Sequence, residues 1–99
     1  MVIYEVNLFL NKEIVPEYLQ FLKQHIVEMM TFDGFQKAAT YFVAKAEDQV
    51  AYTVQYTVES MDQLNDYFTK HADRMRADAL QRFNGKFKAE RRILLKTEL

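Results

Sequence analysis

From Val50 to Val58 the chain alternates apolar and mostly polar residues, and the alternation stops at Ser60, where a helical pattern begins. A period of two commits this segment to a strand with one buried and one more polar face. Val50, Tyr52, Val54, Tyr56 and Val58 share the buried face; Ala51, Thr53, Gln55, Thr57 and Glu59 share the other. That second face carries too little charge for an ordinary wet surface, and it is where a function has room to sit.

The rest of the chain can be read around this strand. Residues 2–10 alternate in the same way, with Val2, Tyr4, Val6, Leu8 and Leu10 opposite Ile3, Glu5, Asn7 and Phe9. A helix follows. Pro16 suits its first turn, Glu13 and Glu17 suit the positive end of its dipole, and Val15, Tyr18, Leu19, Leu22, Ile26, Met29 and Met30 form its apolar stripe. It is expected to end near Thr31, before a turn at Asp33-Gly34. Residues 35–46 read as a strand with Phe35, Ala39, Tyr41 and Val43 on one face and Ala38, Phe42, Ala44 and Ala46 on the other. Glu47-Asp48-Gln49 is a hairpin tip. Ser60-Met61-Asp62-Gln63 is a capping box, in which the Gln63 side chain is expected to reach back to the Ser60 backbone. It opens a helical pattern running to Phe83, either one long helix or two broken near Asp73. Asp66/Lys70 and Asp78/Arg82 are spaced for exposed ion pairs. Gly85 suits a left-handed cap before a last strand over residues 86–97.

The order βαββαβ predicts an α+β, ferredoxin-like fold: a four-stranded antiparallel sheet with its helices on one face. At 99 residues the chain is expected to be one domain, 1–99. With two glycines and one proline, its connections are expected to be short. It has no cysteine, which excludes disulfides and thiolate metal sites. A net charge of −1 and the interleaved acids and bases of the later helix argue against nucleic acid. The start has neither the basic nor the long apolar region of a signal peptide, and no apolar run is long enough for a membrane span. The expectation is a soluble cytoplasmic protein with no membrane partner.

Because the helices take one sheet face, the other is left with Ile3, Phe9, Ala38, Phe42 and Ala44, assigned by alternation. An apolar face of that kind calls for a partner, and a homodimer packed sheet to sheet into a barrel is expected. Within it, Glu5, Thr53, Gln55, Glu90 and Arg92 are placed to converge on a small polar or amphipathic ligand, with Glu5 and Arg92 as a pair if the last strand neighbours the first, and Asn7, on the same face as Glu5, is a further candidate for binding that ligand. The alternative is a structural ion pair at the interface.

His25 and His71 are the only histidines. Each lies near a core-facing stripe, and each is a candidate acid or base, or an imidazole that packs on the core edge. Two histidines without cysteine give too few ligands for zinc, and no phosphate loop or nucleophile elbow is present. No metal or cofactor is expected.

Tyr52-x-Val54-Gln55-Tyr56, Ser60-Met61, His71-Ala72, Arg76 and above all Arg82-Phe83-x-Gly85-Lys86-Phe87 resemble a small bacterial family of unknown function in the dimeric α+β-barrel superfamily. Ile3-Tyr4 and His25-Ile26 carry the same resemblance, which spans nearly the whole chain. Val27 stands where that family often has proline, Asn84-Gly85 where it usually has Gly-Gly, and Tyr18 and Phe21 where it has tryptophan. The resemblance implies the barrel and the homodimer. It also implies two function classes: a non-catalytic module binding a small ligand or partner, or a cofactor-independent monooxygenase-like enzyme. Asn7 resembles in position a functional asparagine of haem-degrading relatives, but this chain has no tryptophan to complete that pattern.

Overall fold

The computed structural model describes residues 1–99. Strand β1 runs over Val2–Asn11, and a 3-10 turn at Lys12–Ile14 leads into helix α1 at Val15–Met29. Strand β2 is Phe35–Lys45 and β3 is Gln49–Val58; helices α2 and α3 follow at Met61–Lys70 and Ala72–Phe83, and strand β4 is Phe87–Leu95. The strands form one antiparallel sheet in the order β2-β3-β1-β4, the ferredoxin-like arrangement.

The even-numbered side chains of β1 and β3 turn toward the helices, as their alternation dictates. Tyr4, Leu8, Leu10, Val54, Tyr56 and Val58 are buried there with Leu22, Met29, Leu64, Met75 and Phe83 from the helices. Pro16 sits in the first turn of α1. The Ser60 hydroxyl caps α2 by accepting from the Gln63 N–H at 3.2 Å. Gln63 does not reach back to the Ser60 backbone; its carbonyl oxygen instead accepts from the Ser60 hydroxyl at 3.2 Å. The long helical pattern is two helices that meet at His71, whose N–H bonds to the Tyr67 carbonyl and whose carbonyl accepts from Met75. Gly34 and Gly85 both take the left-handed conformation, at φ 87° and 78°.

Alternation fails in β2. The register slips between Phe35 and Lys37 and again between Phe42 and Ala44, leaving Gln36 and Val43 as extra residues. Each bulge reverses the parity of the faces. Ala38 therefore lies opposite Tyr56 and Phe42 opposite Tyr52, on the helix side, and the Phe42 and Tyr52 rings meet edge to face at 5.7 Å. Ala39 and Tyr41, across from Gln55 and Thr53, take the open face instead. The expected helical ion pairs Asp66–Lys70 and Asp78–Arg82 do not form. Arg82 lies over the Phe21 ring at 5.4 Å, and Arg74 ties α3 to Glu28 of α1 at 2.6 Å.

Candidate functional site

Two features stand out, one on each side of the sheet. On the open face, β1 is flanked by β3 and β4, so Glu5 has Gln55 on one side and Arg92 on the other. Its carboxylate accepts from Gln55 Nε2 at 2.9 Å, from Asn7 Nδ2 at 3.0 Å and from Arg92 Nε. Thr53 Oγ1 donates to Asn7 Oδ1 at 2.7 Å, so both ends of the Asn7 amide are engaged. Glu5 is 3% exposed although no helix covers it. The Arg92 hydrogen bond, then that of Gln55, holds its pKa down at about 2, against the cost of burial. The sheet thus brings together Glu5, Asn7, Thr53, Gln55 and Arg92, the residues that sequence reasoning picked for a ligand. Glu90 does not join them; it turns to Lys88 at 3.2 Å. Within the cluster the acceptors of Glu5 and Asn7 are already used by protein donors, which is the pattern of an internal brace.

On the helix side, a cavity of about 220 Å³ lies between the sheet and the helices. Its floor is the middle of the sheet, with Val6 and Val54 among its residues; its walls include Tyr18 and Phe21 of α1, Tyr67 of α2 and Met75 of α3. Ala79 and Ala89 are too short to fill the space between helix and sheet there. The polar members of the lining are few: the Tyr4, Tyr18, Tyr56 and Tyr67 phenols, His25, Arg76 and Arg91. A mostly apolar lining with a few convergent polar groups is the usual composition of a small-molecule site.

Burial keeps the polar groups of this cavity neutral where it can. It raises the Tyr18 and Tyr67 phenols to about 12 and pushes Tyr56 up as well. His25, half-buried beside the Phe21 ring at 5.4 Å, is held below the usual 6.5 by desolvation, partly opposed by Glu28 and Asp78. At neutral pH it is an uncharged imidazole able to accept a proton. His71 is elsewhere: it stacks on Phe32 at 4.2 Å and 11°, at the α2–α3 junction, and does not line the cavity. Of the two histidines weighed from the sequence, only His25 lines this cavity; His71 borders a separate, more polar recess with Phe32, Asp33 and Lys70. Arg76 and Arg91 were not singled out for this cavity by sequence reasoning. The one available signal was Arg91 itself, a charge on the face of β4 where Phe87, Ala89 and Ile93 are apolar.

The chain matches, over residues 1–97, a family described as "Domain of unknown function (DUF4286)". No curated protein matches it in sequence. Among solved structures it is similar to SnoaB, a cofactor-independent oxygenase from Streptomyces nogalater. The two share 12% identity and a TM-score of 0.71, over 99% of this chain and 95% of that one. It is also similar to a Deinococcus radiodurans protein named as an antibiotic biosynthesis monooxygenase, with 15% identity, a TM-score of 0.71 and coverage of 100% and 95%. A conserved protein from Methanosarcina mazei superposes with a TM-score of 0.69 at 18% identity, over 98% of this chain and 94% of that one. At these identities the likeness is one of fold.

Proposed function

The chain belongs to the DUF4286 family, and from that premise we propose that it is a small-ligand-binding homodimer of single-domain subunits, closed through the open sheet face. Its ligand is a small, largely apolar molecule held between sheet and helices. The observation that carries this reading is the open-mouthed cavity of about 220 Å³ left between sheet and helices, lined mainly by buried apolar and aromatic side chains. Natural cores are close-packed, and an apolar cavity of roughly 150 Å³ is already enough to take up benzene. The open face supports the dimer: Ile3, Phe9, Ala39 and Leu94 are half-buried and Tyr41 is half-exposed on a surface that no helix covers.

Calorimetric titration with 2-naphthalenemethanol tests the ligand site. Binding is expected in the wild type and is expected to disappear in Ala79→Phe, whose ring would occupy the cavity, while the circular dichroism spectrum is kept. Absence of binding to the wild type would overturn the reading.

A second reading, a cofactor-independent oxygenase, is favoured by one observation: an uncharged, half-buried His25 on the cavity wall. It requires uptake of dioxygen in the presence of a phenolic probe such as 1-naphthol, lost in His25→Gln. No uptake leaves the non-catalytic module.

A further inference from the structure

We infer that the ligand of this cavity is an aromatic carboxylic acid, its carboxylate held by Arg76 and Arg91 and its rings lying among the aromatic side chains. This rests on the cavity being a ligand site, as proposed above, and adds the charge of the ligand.

The lining holds two guanidinium groups and an imidazole, and no aspartate or glutamate. A shallower recess shares Tyr4, Arg76 and Arg91 with the cavity and adds Arg92, again without an acid. Four bases form ion pairs, Arg74 with Glu28, Lys86 with Glu13, Lys88 with Glu90 and Arg92 with Glu5; Arg82 and the other lysines have no such partner but lie outside the cavity. Neither Arg76 nor Arg91 forms an ion pair.

Arg76 is the more telling of the two. It makes one long hydrogen bond, from Nη2 to the Tyr4 hydroxyl at 3.4 Å, and its Nε is buried with no acceptor. A buried donor without a partner costs stability, and such groups are rare enough in folded proteins to call for an explanation. A carboxylate at the cavity mouth would accept from the terminal Nη groups of the guanidinium, in the charge-assisted pairing that arginine favours. Arg91 stands on the same side of β4, across from Val6 of β1, in a row of side chains that is otherwise apolar. Burial holds the Tyr18, Tyr56 and Tyr67 phenols protonated, so they can donate to an anion without repelling it. Rings suit the rest of the cavity, because Tyr18, Phe21 and Phe87 already pack there at centroid distances of 5.3–5.6 Å.

The experiment compares 2-naphthoate with 2-naphthalenemethanol, two probes of the same shape, by calorimetric titration. Wild-type protein is expected to bind the acid about tenfold or more tightly than the alcohol, as a charge-assisted hydrogen bond would give. Arg76→Gln and Arg91→Gln are each expected to shrink that preference, weakening the acid more than the alcohol. Equal affinity of the wild type for both probes, or an undiminished preference in both variants, overturns the inference and leaves the cavity reading standing. If neither probe binds, the cavity reading itself fails. Should Arg76→Gln not fold, the wild-type preference and the exposed-site variant Arg91→Gln decide the question.

Discussion

Glu5 sits in mid-strand on a face with no helix above it, and its charge survives there because Arg92, Gln55 and Asn7 all serve the ionised form. Its pKa near 2 lies below the ordinary 4.5, so the folded state binds fewer protons than the unfolded one between those values. The stabilisation is complete above pH 4.5 and is lost as the pH falls toward 2. Arg92 is largely in solvent, so the contribution is on the order of 1–2 kcal/mol after screening. Urea midpoints measured from pH 6 down to pH 2 should fall more steeply in the wild type than in Glu5→Gln; parallel curves would deny the brace. The two glycines make a second test. Both have positive φ, but a Cβ at Gly34 would lie 2.8 Å from the Gln63 Cβ, whereas one at Gly85 meets nothing within 4 Å. Gly85→Ala should cost about 1 kcal/mol through backbone strain alone. Gly34→Ala should cost measurably more, because Gln63 and the start of α2 must also move. Equal losses in denaturant titrations would refute the contact.

At the scale of the elements, the strands with unbroken alternation lie where that pattern puts them, and β2 does not. Its two extra residues, Gln36 and Val43, are visible only once the hydrogen-bonding partner β3 is in place, because a bulge is a mismatch between two strands and not a property of one. The helix starts are more local. Ser60 satisfies a backbone donor of the first turn of α2, and its hydroxyl also bonds the Gln63 side chain of the same turn. Ser60→Ala should therefore lower stability by about 1 kcal/mol in thermal or urea unfolding, without altering the fold. The break between α2 and α3 at His71 comes two residues before the expected position near Asp73. The stacking of its ring on Phe32, far away in sequence, accompanies that junction.

For the whole molecule, the corrected faces sharpen the expectation of a homodimer. Phe9 lies on the open face opposite Ala51 and Lys88, and Phe42 lies on the helix side at 61% exposure, at the end of the sheet. Light scattering at micromolar concentration should find a dimer that Phe9→Asp weakens, since an unpaired carboxylate would be buried in the interface, and that Phe42→Asp leaves intact. A wild-type monomer would sink the proposal, and the reverse ranking of the two variants would move the interface. The order of the elements, the glycine turns, the cap at Ser60 and the meeting of Glu5, Thr53, Gln55 and Arg92 were legible in the sequence, because each follows from a short-range period or from neighbours in a forced topology. The face that Phe42 takes, the histidine that lines the cavity between sheet and helices, and the presence of Arg76 and Arg91 there without an acid emerge only from the folded chain. Those facts depend on register between strands and on the space left where small side chains from distant segments meet, and no local pattern encodes either.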